Sequence, residues 1–160
     1  MVAEYLILHC SDTEDGPTLS WPAIRRYHTG VKGWSDIGYH YGLERYKDRM
    51  ILLPGRRPTT YGAHCQAAGR NKDSIGLCVV GDFDRVAPTP SVYDAIVNAL
   101  ALIALMHGIH VDRIRAHREF DDRKSCPGSR IDMNLIRDLV GARMSEMSEI
   151  GRHWEIGDYQ

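Results

Sequence analysis

Four segments of the chain carry the apolar patterns that are typical of strands. Residues 4–9, EYLILH, form a short apolar run that ends at a histidine. Residues 74–83 form a continuous apolar run bounded by glycine, which indicates a central strand buried on both faces. Residues 37–53 predict two strands joined by a tight turn at 47–48, and residues 112–117 predict one short strand.

Three longer segments carry the patterns and end signals of helices, namely residues 19–30, 89–108 and 131–150. Because these helices alternate with the strands, we expect an α/β fold, a single domain with a mixed central β-sheet flanked by α-helices. The end signals are Ser20, Pro22 and Gly30 for the first helix, Thr89 or Ser91 and Gly108 for the second, and Asp132 for the third.

Length, composition and charge narrow the class of protein. A chain of 160 residues with 43% hydrophobic residues suffices for one core, and no repeat or linker divides it. The formal net charge of −1 argues against nucleic acid or an anionic membrane as the main partner. The first ten residues lack a signal-peptide pattern, and the longest apolar stretch, 92–106, predicts a buried helix too short to cross a bilayer. We therefore expect a protein that is made and kept in the cytoplasm.

One irregular segment, AHREFDDRKSCPGS (116–129), combines His117, Lys124 and Cys126 just before a Pro-Gly turn. His9 and His117 both end predicted strands, and α/β folds assemble their sites at such strand ends. Two imidazoles and one thiolate form a recurring zinc set with an open fourth position. The spacing alone leaves open that these histidines are not metal ligands, because a single histidine is more often a surface or hydrogen-bonded residue. The four cysteines form no CxxC pair and fit free thiols or single metal ligands.

Neighbours of these candidates have structural interpretations. If residues 39–41 are extended, Tyr39 and Tyr41 share one face of a strand and His40 points to the other, as a core or hydrogen-bonding group. Cys10 follows His9 and should face away from the metal as a buried thiol.

The segments that flank the strands suggest supporting roles. Asn71 and Ser74 are expected to shape the turn before the central strand. Asp12 and Thr13 fit two roles: they support the His9 ring without binding the metal themselves, or they cap their own loop.

Four motifs together resemble one known family. They are LHCSDT (8–13), GWSDIGYHYGLER (33–45), GAHC with GRNKDSIGLCVVGDF (62–83) and AHREFDDRKSCPG (116–128). In this order they are similar to the zinc-dependent N-acetylmuramoyl-L-alanine amidases of the phage-lysozyme and peptidoglycan-recognition-protein superfamily. The likeness spans residues 4 to 140 and is strongest to small single-domain phage endolysins.

The resemblance implies a set of site residues. It makes His9, His117 and Cys126 the ligands of one zinc ion per chain, Tyr39 and Lys124 the catalytic residues, and His64 a residue that lines the substrate groove. One departure is that the loop between His117 and Cys126 is a residue longer than usual in the family.

The activity that the resemblance implies is hydrolysis of the amide between N-acetylmuramic acid and L-alanine in peptidoglycan. The protein would be a monomeric lytic enzyme, without nucleic-acid binding or stable membrane association, held in the host cytoplasm until a holin or lysis releases it. A rival is a peptidoglycan-binding module, since some relatives bind without cutting, but these usually lack the cysteine ligand. A third possibility is a regulatory partner of another intracellular protein, and no motif in the sequence supports it.

We expect the chain to consist of a catalytic domain, residues 1–140, and a C-terminal helical extension or tail of the same domain, residues 141–160. Met144, Met147, Ile150 and Trp154 recur at helical spacing. Residues 141–160 contain two arginines and four acidic residues, a net charge of −2, so an anionic membrane would repel them. We therefore predict that this stripe packs against the catalytic domain and that Gly151 marks a break.

Overall fold

A five-stranded mixed sheet forms the centre of the molecule. The computed structural model describes residues 1–14, 16 and 20–152. The strand order is β3-β2-β4-β1-β5, with β2 and β3 antiparallel and the other neighbouring pairs parallel. This confirms the predicted α/β fold with a mixed sheet. The strands are β1 (Tyr5–Cys10), β2 (Tyr41–Tyr46), β3 (Arg49–Pro54), β4 (Ser74–Val79) and β5 (Ile114–Ala116).

The two long helices cover one face of the sheet. They are α2 (Pro90–His107) and α3 (Met133–Arg152). The predicted caps are confirmed: the hydroxyl of Thr89 accepts from the amide of Val92, Gly108 ends α2 in the left-handed conformation, and the Asp132 carboxylate accepts from two amides of α3. Local capping residues therefore mark both ends of α2 and the start of α3.

The helix α2 is long and apolar, and it lies in the core of the fold. By length and composition alone it could cross a membrane, so the expectation that this stretch is too short is wrong. In the fold it is a core helix, as expected, because Ile96, Leu100 and Ile103 are fully buried in the main hydrophobic cluster.

Strand alternation decides which side chains face the helices. Along β1, Leu6 and Leu8 join the main core beneath α2 and α3. His9 therefore points to the opposite face, where a smaller cluster forms around Trp21 and Cys78. The odd-numbered face of β1 is thus free to carry a polar site.

A short helix, α1 (Trp21–Arg26), lies on that opposite face and widens into a π-helical turn over Tyr27–Val31. The predicted stop at Gly30 is therefore one residue early. Ser20 occupies the N-cap position, but its side chain makes no capping hydrogen bond. Instead the buried carboxylate of Glu44, on β2, accepts from the backbone amides of Ser20 and Trp21.

The strand β2 begins only at Tyr41, so the shared face predicted for Tyr39 and Tyr41 is wrong. Tyr39 packs with the small cluster around Trp21, whereas Tyr41 packs on the main core and bonds to His107 of α2. The chain turns between the two tyrosines, so strand alternation does not apply to them.

The C-terminal half of α3 extends the domain. Met144 and Met147 pack against the main core, but Ile150 is 62% exposed. The helix continues through Gly151 to Arg152, so the predicted break at Gly151 is wrong. Trp154, the last member of the stripe, lies outside the described residues, and the domain boundary at residue 140 stays a prediction.

Candidate metal centre

The sheet brings together three side chains that the sequence separates widely. His9 is near the end of β1, His117 directly follows β5, and Cys126 lies on the next loop. One ligand atom from each lies within 4.8 Å of the others. Because β1 and β5 are parallel neighbours, the two histidines reach the same edge of the sheet, and their ring centroids are 4.6 Å apart.

The spacing of these atoms fits a tetrahedral metal ion. Nδ1 of His9 lies 3.6 Å from Sγ of Cys126. For zinc, bonds of about 2.05 Å to nitrogen and about 2.3 Å to sulfur at a tetrahedral angle separate the two atoms by about 3.5 Å. The group borders a cavity of about 290 Å³, which leaves space for a fourth ligand.

The surroundings set the protonation of the group. Burial lowers the pKa of His9 well below its usual value, and the rings of His64 and His117 act in the same direction. Burial also lowers the pKa of His117. Both imidazoles are therefore neutral at pH 7, which is the form that binds metals. A hydrogen bond with Cys10 and burial raise the pKa of Cys126, so a bound metal must displace the thiol proton.

The Cys126 sulfur is also held by the end of β1. Cys10 belongs to the helix-facing core, as expected for a buried thiol. The residue nevertheless borders the site, because its backbone amide donates to Sγ of Cys126 at 3.4 Å and Cys10 lines the metal cavity.

Arg118 fastens the loop that carries Cys126, a role that the sequence did not reveal. Its amide donates to the carbonyl of Cys126, and its guanidinium donates to the carbonyls of Ser125, Gly128 and Ile131. Gly128 has a φ of 111°, and a side chain there would collide with Phe83. The predicted Pro-Gly turn is thus held by backbone geometry and one arginine.

Lys124 lies at the mouth of the cavity. Its side chain is exposed and lines the cavity beside His117, whose pKa its charge lowers. Its amide donates to the carbonyl of Asp121, and the Asp121 carboxylate forms a bidentate pair with Arg123, which holds the pKa of that carboxyl at about 2. The acidic residue thus organises the loop.

Tyr39 lines the same cavity and packs against His9, with ring centroids 5.3 Å apart. Burial raises the pKa of its phenol well above its usual value. The side chain is therefore a neutral hydrogen-bonding group at pH 7.

Two further histidines lie behind His9. The His64 ring is 8% exposed, and its Nδ1 lies 3.0 Å from Nε2 of His9. The His40 ring, as expected, is a buried hydrogen-bonding group: Nδ1 accepts from the Gly76 amide, and Nε2 donates to the Thr60 carbonyl.

The turn residues behave as predicted. The Asn71 side chain accepts from the amides of His64 and Cys65, and the Ser74 hydroxyl donates to the Arg70 carbonyl. These bonds anchor the backbone that carries the His64 ring.

Asp12 and Thr13 belong to their own loop. Thr13 is hydrogen-bonded to Ser11, while His64 pairs with His9. The loop-capping alternative is therefore favoured over support of the metal ligand.

A second cavity of about 490 Å³ adjoins the site along α1. It shares Ser11 and Tyr39 with the metal cavity. The sequence analysis did not predict this groove. Its signal was the spacing of Ile24, Tyr27 and His28, which stand at positions i, i+3 and i+4 and so share one face of a helix. Its lining residues are Ser11, Thr13, Glu14, Ser20, Ala23, Ile24, Tyr27, His28 and Tyr39.

Comparison with known proteins identifies the family of the chain. A family model described as N-acetylmuramoyl-L-alanine amidase matches residues 1–129. The endolysin of Enterobacteria phage T3 is 31% identical over 129 residues, covering 78% of this chain and 80% of that protein.

Solved structures extend the likeness to the fold. LysC, an N-acetylmuramoyl-L-alanine amidase from Clostridium intestinale, has a TM-score of 0.72 at 19% identity over 88% of this chain and 86% of LysC. Drosophila PGRP-LB has a TM-score of 0.68 at 26% identity over 98% of this chain and 85% of that protein, and a mutant of it was solved in complex with tracheal cytotoxin. The family match and the assembled site together establish that the chain belongs to the N-acetylmuramoyl-L-alanine amidase family and is an enzyme of that class.

Proposed function

We propose that the enzyme is zinc-dependent and cleaves the amide between N-acetylmuramic acid and L-alanine in peptidoglycan. The observation that carries this proposal is the group His9, His117 and Cys126, whose nitrogen–sulfur separation of 3.6 Å fits zinc. A soft thiolate with two neutral imidazoles favours zinc over the oxygen-preferring cations. Family membership at the level of peptidoglycan amidases supports the choice of substrate.

The chain's own side chains divide the remaining work. When bound, zinc would polarise the scissile carbonyl and make a water molecule more acidic. The ammonium of Lys124, at the cavity mouth, would stabilise the negative charge that develops on the carbonyl oxygen. The neutral phenol of Tyr39 would hold a proton at its hydroxyl and orient the substrate by hydrogen bonding.

The groove along α1 would hold the stem peptide. It is continuous with the metal cavity through Ser11 and Tyr39, so a peptide lying in it could present its first amide to the metal. The tracheal cytotoxin complex of the PGRP-LB mutant supports binding of a peptidoglycan fragment by this fold. A binding module without catalysis is less favoured, because the cysteine ligand is present with both histidines.

The biological role follows from the endolysin likeness. We propose a monomeric cell-wall lytic enzyme that reaches its substrate from the host cytoplasm after holin-type release or lysis. The net charge of −1 supports the absence of nucleic-acid binding and of stable membrane association.

Product analysis tests the proposed function. Purified peptidoglycan treated with the enzyme should gain new L-alanine amino termini and no new reducing sugar ends, and elemental analysis should find one zinc per chain. Cys126→Ser should lose zinc and activity. The matched Cys65→Ala variant, which removes a buried thiol outside the metal group, should keep both.

Two results would contradict the proposal. New reducing ends would identify a glycosidase, which needs a pair of carboxylates flanking the bond. Full activity in protein that elemental analysis shows to be free of metal would exclude zinc dependence.

A further inference from the structure

The His64 ring lies in a pocket built to its shape behind the metal ligands. A side chain at Gly62 or Gly76 would collide with this ring at 2.4 to 2.8 Å, so the two glycines leave the space that it fills. The backbone amide of His64 is held by the Asn71 side chain at 2.8 Å. The ring is thus fixed on the far side of His9 from Cys126, with its edge against the His9 ring.

The two nitrogens of His9 face different partners. Nδ1 faces Cys126 at 3.6 Å, and Nε2 faces Nδ1 of His64 at 3.0 Å. A metal can bind Nδ1 only if that nitrogen carries no proton. The single proton of the neutral ring must then sit on Nε2, where it points directly at His64.

His64 can accept this proton in a hydrogen bond. Its Nδ1 lies 3.0 Å from Nε2 of His9, and a neutral imidazole keeps one of its two nitrogens free of hydrogen. Its Nε2 is buried and has no hydrogen-bond partner among the described residues. If Nδ1 of His64 accepts from His9, the His64 proton occupies Nε2.

We propose that His64 is a positioning residue that accepts a hydrogen bond from Nε2 of His9 and so holds His9 in its metal-binding tautomer and orientation. This role rests on the proposed metal-dependent function, and it differs from the substrate contact expected from the sequence. Partners of this kind fix the ring orientation of metal-bound histidines, and their loss costs about 10- to 100-fold in metal affinity.

Matched substitutions separate the hydrogen bond from packing. His64→Leu removes the acceptor at similar volume and should weaken zinc binding by about 10- to 100-fold in a chelator competition assay. His64→Asn places its side-chain oxygen near the former Nδ1 position and should restore most of the affinity. If His64→Leu does not fold, His64→Gln, whose amide lies nearer the former Nε2 position, is expected to show the loss.

Nitrogen NMR of the metal-free protein provides a second readout. The His9 ring should carry its proton on Nε2 in the wild type and in His64→Asn, and should become a mixture of tautomers in His64→Leu. His40→Gln, a change in the neighbouring buried ring 5.4 Å from His64, should alter stability but not the His9 tautomer.

The outcomes distinguish the two proposals. Wild-type zinc affinity in His64→Leu or His64→Gln overturns the positioning role, and so does unchanged zinc affinity with a raised KM for peptidoglycan, which indicates a substrate contact. Absence of zinc binding by the wild-type protein instead contradicts the proposed function, while the His9 tautomer still reports whether the hydrogen bond exists.

Discussion

Tyr39 and Lys124 differ in how firmly the protein holds them. The Tyr39 ring is packed between the rings of His9 and Trp21, so removal of its hydroxyl leaves the packing intact. The Lys124 side chain is exposed, and only its backbone is tied to the loop. Loss of either functional group should therefore affect charge and proton handling rather than the fold.

Tyr39→Phe and Lys124→Ala are each expected to lower kcat by about 100-fold or more, because each removes a group that stabilises developing charge. Both variants should retain one zinc per chain, measured by elemental analysis alongside amidase kinetics. Tyr41→Phe and Lys72→Ala change the same residue types away from the metal cavity and should leave kcat unchanged. Near-normal kcat in both site variants would leave the metal ligands as the only assigned catalytic groups.

The candidate metal ligands were suggested by strand ends and residue chemistry, and the resemblance to the amidases made the set specific. His9 and His117 each lie at or directly after a strand end, and Cys126 stands before a recognisable turn. The pairing of His64 with His9 could not be predicted in this way, since it joins residues 55 positions apart across the sheet. Contacts of that kind depend on strand order, which no local pattern specifies.

At the scale of elements, α1 depends on a strand for its start. The side chain of its N-cap residue, Ser20, makes no capping hydrogen bond. The carboxylate of Glu44 on β2 instead accepts from the first backbone amides of the helix. Since α1 forms a wall of the groove beside the metal cavity, the carboxylate links the position of that wall to the sheet.

Glu44→Gln should destabilise the protein by about 1–3 kcal/mol, because an amide group can accept only one of the two backbone hydrogen bonds and leaves a buried donor unpaired. Urea unfolding measures this change. We also expect a higher KM for peptidoglycan, because the groove wall loses its anchor.

A matched control is Glu146→Gln, which makes the same chemical change at a residue on the exposed surface of α3. It should alter the free energy of unfolding by no more than about 0.5 kcal/mol. Equal effects of the two substitutions would show that Glu44 does not anchor α1.

The long helices were predictable to within two residues because local caps mark both ends of α2 and the start of α3. The start of β2 was not, since the turn after Tyr39 is imposed by its packing with Trp21 and by the hydrogen bond from the His40 amide to Gly76. Elements were thus predictable where their ends are set by neighbouring residues, and less so where distant chain segments set them.

At the scale of the whole molecule, the core is closed at one end by the C-terminal turns of α3. Met144 and Met147 pack on it, and Arg143 pairs with Asp94 of α2 at 3.2 Å. The segment beyond residue 140 therefore contributes to the stability of the domain, which agrees with the predicted packing of its apolar stripe.

Met147→Ser should lower stability by about 1–2 kcal/mol, since it removes a half-buried apolar side chain. Ile150→Ser, one helical turn further at an exposed position, should change stability by no more than about 0.5 kcal/mol. Thermal unfolding measures both effects, and lysis of exposed peptidoglycan at low temperature should be unchanged. Normal stability of Met147→Ser with a loss of lysis of intact cells would favour a membrane-active helix instead.

The distance along the chain between the metal ligands has a consequence of its own. His9 and Cys126 are 117 positions apart, and they meet only after β1 has paired with β4 and β5. A bound ion would therefore join the first strand to the loop that carries Cys126, and its binding energy would add to the stability of the entire topology. A chain that has not completed its sheet would hold no ion, so under the proposed function only fully folded molecules would become active.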